Sequence, residues 1–303
     1  MSTVLIADSI HKSGVEYLKS LGLSVTERTE ISPDELLSSI SQYDALIVRS
    51  RTKVTGEIIR TGSNLKVIAR AGSGVDNIDC KEAGKHSIVV VNAPDANAQS
   101  VVELTVGFML SLLRHIPEAD RSMKECLWRK KELGGSELSG KTVGIIGYGH
   151  IGKKLEEFIQ AFGAKILIFS RSHKTASLET IFTSSDIISV HIALTPETQG
   201  LLSAQLFALM KPTAYFINTS RAEVVDEEAL FTILSQGKIA GCALDVFWQE
   251  PLPADSRWRK LDCVLLSPHL GASTIEALRR ASKTVAEDVV RVLKGEHPNN
   301  PIT

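Results

Sequence analysis

The chain has 303 residues, and its 43% hydrophobic content is enough material for two separate cores. With 34 basic residues against 35 acidic ones, the formal net charge is −1, which excludes any global attraction to nucleic acid or to an anionic membrane. Cys80, Cys126, Cys242 and Cys263 are widely spaced without a C-x-x-C pair, so the expectation is buried, reduced thiols and neither a zinc site nor a disulfide framework. The start MSTVLIADSIHKSG meets Asp8 too early for a signal peptide, and the apolar stretch 101–113 is interrupted by Glu103, so a cytoplasmic protein is expected.

From the N-terminus, short β-branched runs at residues 4–7, 45–48, 67–69 and 88–91 alternate with amphipathic stretches, the first of them at 11–21. That alternation predicts βαβ units and a mostly parallel sheet. Residues 97–125 follow, with Val102, Val106, Met109, Leu110 and Leu113 at helical spacing and Val101, Leu104, Phe108 and Leu112 making the other side apolar. A helix apolar all round must be buried on every side, here between domains or between subunits. A second series of runs begins at 143–146 and continues at 166–169, 187–190, 214–218, 241–246 and 264–267, before a long final helix over 274–294. Two doubly wound α/β domains fit this pattern better than one.

The run 143–146 leads into Gly147, Gly149 and Gly152, and then into Ile151, Leu155, Phe158, Ile159 and Phe162 on one face of a helix. Strand, G-x-G-x-x-G turn and helix together are the setting of a dinucleotide fingerprint. The turn brings the backbone close to a pyrophosphate at free helix N–H groups. The next strand should end in an acidic residue for the adenosine ribose, but it ends in Ser170, Arg171, Ser172, His173 and Lys174. A guanidinium fork there suits a 2′-phosphate, so NADP(H) is expected in preference to NAD(H).

Three phrases then end strand runs: NTSRAEVVDEEAL, GCALDVFWQEPLP and LLSPHLGAST. They place Arg221, Glu250 and His269 at the carboxyl edge of the sheet, where ligands bind in this architecture. Singly, each has a bland reading as a surface or capping residue. Together they form a mechanism in which His269 exchanges a proton with a substrate oxygen. Glu250 fixes its tautomer and favours its charged form. Arg221 grips a carboxylate and polarises a carbonyl.

With LKVIARAGSGVDNID, VNAPDANAQSVVELT and VHIALTPETQGLL, these phrases resemble the D-isomer-specific 2-hydroxyacid dehydrogenase family over nearly the whole chain. The resemblance implies a flavodoxin-like substrate domain at 1–95 and 286–303, around a Rossmann cofactor domain at 96–285. It implies the three catalytic roles given above, on Arg221, Glu250 and His269. It also implies substrate-carboxylate contacts from the N–H groups of Ser73 and Gly74. His150 and Ile151 would lie beside the pyrophosphate; Thr219, Ser220 and Asp245 near the nicotinamide; and His191, Thr195, Gly271 and Ala272 within the cofactor site. A homodimer through the 101–113 region and domain closure over the reactants complete the implied picture.

Within the family, ARAGSGVDNID and PHLGAST are most similar to members acting on a phosphorylated three-carbon acid. Such a substrate needs cations, and VRSRTKV offers Arg49, Arg51 and Lys53, on one side if the chain stays extended, with Arg129 of LWRKK as a further candidate from a second subunit. The alternative is an NADPH-dependent glyoxylate or hydroxypyruvate reductase, for which VRSRTKV is a solvated basic turn. A dinucleotide-sensing corepressor is the alternative from another class. Departures from the family pattern are Ala222 for glycine, Ala193 for proline, and the basic tip at Ser170 and Arg171. The sequence ends at Thr303, so the C-terminal regulatory domain of longer relatives, with its serine feedback, is not expected.

Overall fold

A computed structural model describes residues 1–303. In chain order its strands and helices are β1 (Thr3–Ile6), α1 (Lys12–Ser20), β2 (Ser24–Glu27), α2 (Pro33–Ser39), β3 (Ala45–Val48), α3 (Gly56–Thr61), β4 (Val67–Arg70), α4 (Cys80–Lys85) and β5 (Val89–Asn92). Next come α5 (Ala98–Arg114), α6 (Ile116–Lys124), β6 (Thr142–Ile146), α7 (His150–Ala161), β7 (Lys165–Phe169), α8 (Leu178–Ser184), β8 (Ile187–Val190) and α9 (Ala204–Phe207). The chain ends with β9 (Tyr215–Asn218), α10 (Glu227–Ser235), β10 (Gly241–Leu244), β11 (Val264–Leu266) and α11 (Ile275–Leu293).

The chain divides into two compact units, Met1–Ala98 with Ala272–Thr303, and Gln99–Gly271. The first holds a five-stranded sheet in the order β2-β1-β3-β4-β5, every neighbouring pair parallel, which is the flavodoxin-like order. Val4, Ile6, Ala45, Ile47, Val67, Ala69 and Val91 cover one face against α1 and α11, and Leu5, Leu46, Val48, Ile68 and Val90 cover the other against α2, α3 and α4. Strands apolar on both faces read as continuous hydrophobic runs, as β3 (ALIV) does with all four residues buried.

The return to the first unit comes at Ala272, ahead of α11, whereas the sequence placed it inside that helix at 286. The reason is cooperative. Thr274 caps α11, whose Ala277, Ala281, Val285, Ala286, Val289 and Val290 form one continuous buried stripe, so the helix packs as a unit. Gly14 in α1 lets it approach α11, for a Cβ there would lie 2.8 Å from the Ser282 carbonyl oxygen.

The second unit has a six-stranded parallel sheet in the order β11-β10-β9-β8-β6-β7. Chain direction across the sheet reverses beside β6, so β6 and β8 flank the switch point where dinucleotides bind in doubly wound folds. The helix expected between domains or subunits belongs to this core. Val102, Val106, Met109, Leu112 and Leu113 of α5 pack with Val143 and Ile145, Leu155 and Ile159, Ile187 and Ile217. Glu103, Gly107 and Arg114 run along its exposed side, so the helix is not apolar all round; ordinary packing on one sheet face accounts for it. Of the four cysteines, all unpaired, only Cys242 is fully buried. Cys126 is exposed, because it lies just past the end of α6 rather than in a strand. No helix is long and apolar enough to cross a membrane.

Candidate active site

The three glycines of the fingerprint play different parts, and two of them are sterically required. Gly147 has φ +102°, and a Cβ there would lie 2.4 Å from the His191 carbonyl oxygen, at the junction of β6 and β8. A Cβ at Gly152 would lie 2.1 Å from the Gly147 carbonyl oxygen, so only glycine lets α7 start this close to the strand. Gly149 is the N-cap of α7 and offers no capping side chain, and nothing lies within 4 Å of where its Cβ would be. The first turn of α7, beginning with His150 and Ile151, therefore has backbone N–H groups without a side-chain cap and open space in front of Gly149. That cradle fits a pyrophosphate.

The tip after β7 is a closed turn. Ser170 Oγ donates to the His173 carbonyl oxygen at 2.6 Å and accepts from the His173 N–H at 2.9 Å. The His173 ring stacks on Tyr148 of the glycine loop with centroids 4.6 Å apart, and the Tyr148 hydroxyl donates to Glu156. Arg171, His173 and Lys174 are exposed, with no acidic residue within the tip itself. Across from it, Glu197 is held below its usual carboxylate range by Thr195 and its own backbone first, and by the Arg171 charge after them. Thr195 N–H donates to Thr198 Oγ1 at 2.8 Å, which shapes the segment after β8. His191 directly follows that strand. Its Nε2 meets Ser189 Oγ at 2.8 Å, and burial pushes its pKa down to about 3, so the ring is neutral.

Arg221, Glu250 and His269 all lie inside the second unit. His269 Nδ1 lies 2.8 Å from Glu250 Oε2, and Glu250 Oε1 accepts the Phe247 N–H at 3.0 Å. Partial burial pushes the Glu250 carboxyl up, but the His269 hydrogen bond, the Phe247 N–H and the charges of His269 and Arg221 outweigh it, and the net direction is down. Glu250 is thus ionised at neutral pH and holds the Nδ1 side of the His269 ring. Arg221 follows β9; its Nη1 donates to the Ser220 carbonyl oxygen at 2.8 Å, while Asn218 Nδ2 donates to the carbonyl oxygen of Arg221 at 2.9 Å. Asn218 Oδ1 also receives Ser220 N–H and Oγ, so the Thr219–Arg221 bend is built around one amide. Thr219 itself meets Thr105 of α5, Oγ1 to Oγ1, at 3.3 Å.

Asp245, expected near the nicotinamide, also organises the histidine loop. Its carboxylate accepts from Ser267 Oγ, from the Leu270 N–H at 2.7 Å and from the Gly271 N–H at 2.8 Å. The loop between these donors holds His269 at φ +55°, a left-handed conformation that is uncommon for a non-glycine residue. Burial pushes the Asp245 carboxyl up, against the lowering effect of those three donors and of His269. Gly271 closes the loop and Ala272 begins the other unit.

In the first unit, the structure gives different surroundings to two residues that the sequence placed together. Arg51 is exposed, but its guanidinium is tied back onto its own unit. Its Nε pairs with Asp8 at 3.1 Å, Nη1 donates to the Ile31 carbonyl oxygen at 3.2 Å, and Nη2 donates to those of Ala7 and Thr29 at 2.7 Å each. β3 ends at Val48, so the extended geometry behind the expected alternation does not continue to Arg51. Arg49 keeps its side chain at the carboxyl edge, with one 3.4 Å contact from Nη1 to the Ser9 carbonyl oxygen. Arg70 ends the neighbouring β4, next to Val48, and its guanidinium occupies the space a side chain at Gly72 would take. The sequence reading passed over Arg70, although an arginine closing the strand directly before AGSGVD was a legible signal. Ser73 accepts Asn92 Nδ2 on its carbonyl oxygen at 2.5 Å and Asn97 Nδ2 on its Oγ at 3.2 Å, fixing the turn that contains Gly74. Arg129, a further candidate cation, is paired with Glu118 at 2.8 Å and Glu132 at 2.7 Å.

A glycine cradle at the switch point of a doubly wound sheet, with a histidine–carboxylate pair and an arginine at the carboxyl edge of that sheet, combines the parts expected of a nicotinamide-cofactor site. The comparisons agree. Residues 106–271 match the model of the D-isomer specific 2-hydroxyacid dehydrogenase, NAD binding domain. The chain is 44% identical to a D-3-phosphoglycerate dehydrogenase of Synechocystis sp., over 97% of this chain and 55% of that protein. It is 41% identical to a hydroxypyruvate reductase of Thermotoga maritima, over 96% of this chain and 98% of that protein. Among solved structures, a cofactor (NAD+) bound 3-phosphoglycerate dehydrogenase from Entamoeba histolytica superposes with a TM-score of 0.85 at 27% identity, covering 100% of this chain and 98% of that one. The chain belongs to the D-isomer specific 2-hydroxyacid dehydrogenase family, and its second unit is the family's nicotinamide-cofactor domain. It spans 55% to 59% of the length of the first three curated relatives it matches, all D-3-phosphoglycerate dehydrogenases.

Proposed function

We propose that the protein interconverts a D-2-hydroxy acid and its 2-keto acid with NADP(H), and that the acid is 3-phosphoglycerate with its partner 3-phosphohydroxypyruvate, a step of serine biosynthesis. The observation that carries the reaction class is the His269–Glu250 pair at 2.8 Å, within the electrostatic reach of Arg221. The cofactor, when bound, supplies or takes up the hydride at C2. During reduction His269 Nε2 gives its proton to the keto oxygen, and Glu250 stabilises the charged ring before transfer. Arg221 holds the substrate carboxylate and polarises the carbonyl. The N–H groups of Ser73 and Gly74 are assigned to the substrate carboxylate. Arg49, with Arg70 ending the adjacent strand, is the cation pair for a phosphate; Arg51 is engaged elsewhere.

The cofactor preference rests on Arg171, His173 and Lys174, which present positive charge where a carboxylate would exclude a 2′-phosphate. A second reading, reduction of unphosphorylated hydroxypyruvate or glyoxylate, is favoured by the removal of Arg51 from the cation set and by the full-length match to a hydroxypyruvate reductase. Initial rates with phosphohydroxypyruvate and hydroxypyruvate, each with NADPH and NADH, decide among these. The expected result is faster use of the phosphorylated acid and of NADPH, with Arg171→Ala lowering the NADPH preference about tenfold or more, the scale of a lost charged hydrogen bond. Equal use of both acids favours the second reading, and a cofactor ratio unchanged by Arg171→Ala removes the role given to the tip.

A homodimer is part of the proposal. Ile116, Met123, Leu127 and Trp128, the last 78% exposed, form an apolar group in and just beyond α6. Sedimentation should show a dimer that Trp128→Glu weakens; a monomeric parent protein overturns this part.

A further inference from the structure

Arg49 has one long side-chain contact within its own unit, yet its backbone is held at both ends. Its N–H donates to Asp8 Oδ2 at 2.6 Å, and its carbonyl oxygen accepts from Asn77 Nδ2 at 2.7 Å. The same Asn77 nitrogen donates to the Thr52 carbonyl oxygen at 2.6 Å. Asp8 is 3% exposed and also receives the Thr52 N–H at 3.1 Å, Thr52 Oγ1 at 2.7 Å and the Arg51 guanidinium at 3.1 Å. A buried carboxylate is unfavourable unless it is paired and hydrogen-bonded, and Arg51 supplies the counter-charge while tying the loop to β1 and to the segment before α2.

Asn77 carries the second half of the device, because it lies in the loop that contains Ser73 and Gly74. Its carbonyl oxygen accepts the Val54 N–H at 2.8 Å, and the Asp79 N–H returns to the Val54 carbonyl oxygen at 3.0 Å. The loops after β3 and after β4 are therefore stitched into one piece, with Arg49 in the first and the carboxylate-binding N–H groups in the second. Register between the two strands fixes Val48 opposite Arg70 but says nothing about the loops beyond them. The side chains of Asp8 and Asn77 do that.

We propose that Asp8 and Asn77 are positioning residues for substrate recognition, setting Arg49 against the Ser73–Gly74 turn, so that the spacing between the two ends of the substrate is built into the domain before any substrate arrives. The proposal rests on the assignment of Arg49, Ser73 and Gly74 to substrate. The device differs from general fold support in a measurable way: its effect must pass through Arg49. In the full-length chain, Asn77→Ala is expected to raise KM for phosphohydroxypyruvate about tenfold or more, since small displacements of a binding group are costly. The dissociation constant of NADPH, read by its fluorescence, should stay within about twofold, because the fingerprint lies in the other unit.

Combining Asn77→Ala with Arg49→Ala should give the KM of Arg49→Ala alone. Independent multiplication of the two effects overturns the inference while leaving the substrate assignment intact. An unchanged KM in Arg49→Ala alone overturns the assignment and the inference together. Asp8→Asn, which keeps the volume and removes the charge, is run through the same cycle with Arg49→Ala; it serves where Asn77→Ala does not fold, and coupling or additivity has the same meaning.

Discussion

His269→Gln is expected to lower kcat by about 10² to 10⁴ while leaving the dissociation constant of the cofactor within a few-fold of its starting value, the range contributed by a positioned general acid or base. Glutamine keeps a hydrogen-bonding side chain near Glu250 but cannot carry the proton. The loss therefore isolates proton transfer from binding, and steady-state rates with fluorescence titration of the cofactor check both halves. A kcat within about threefold of the parent would move the acid–base role to another group. Glu250→Gln gives the complementary result. Because the Glu250 carboxyl is held below its usual range, chiefly by His269 and the Phe247 N–H against the effect of burial, it is ionised through the neutral range. As the folded-state pKa is depressed, the stabilising pair is fully present above the ordinary carboxylate range and is lost as pH falls through the depressed value. Neutral glutamine removes the charge at every pH. The rate of keto-acid reduction at neutral pH should then fall below that of the parent, while the dissociation constant of the cofactor stays within a few-fold.

Arg221→Gln is expected to lower kcat/KM for the 2-keto acid by about 10² to 10³, comparable to deleting one preorganised donor to a developing oxyanion. The loss should appear in both KM and kcat, because the guanidinium is assigned both to the ground-state carboxylate and to the polarised carbonyl. Arg221 is held by its own bend: Asn218 fixes its carbonyl and Ser220 receives Nη1. A lysine at this position would keep the charge but lose the planar fork, so Arg221→Lys should recover only part of the activity. Full recovery by lysine would show that charge alone is needed. Loss confined to KM would restrict the residue to substrate binding.

The proximity of Arg221, Glu250 and His269 was legible in the sequence because each follows a strand run, and parallel strands bring their carboxyl ends to one edge whatever lies between them in the chain. The glycine loop was legible for a similar reason. Gly147, Gly149 and Gly152 occur at fixed offsets between a β-branched run and an amphipathic helix, and the first and last of them answer a steric demand the structure now displays. The basic tip was legible as composition. Its closure onto Tyr148 was not, because the stacking partner lies more than twenty residues away in the chain and meets His173 only when β6 and β7 pair.

Where the sequence reading failed, the competing interaction was a tertiary one. Arg51 looked like a second substrate cation beside Arg49, but a buried carboxylate at Asp8, just after β1 and invisible from the VRSRTKV phrase, holds its guanidinium against its own unit. α5 looked apolar on all sides, and its Glu103, Gly107 and Arg114 edge became meaningful only once the sheet face beneath it was known. The domain return was placed inside α11 because a boundary in sequence has no local marker there, while the buried stripe of that helix requires it to pack whole.

Local physics, then, determined what the sequence by itself could carry: strand and helix periodicity, the glycine offsets, and the chemical types at the ends of strands. Only the tertiary structure decided which charged and polar side chains are tied to a partner within the chain, since that choice depends on desolvation and on partners remote in the chain. Asp8 meeting Arg51, Asn77 meeting Arg49, and Asp245 curling the histidine loop are three instances of that one physical reason.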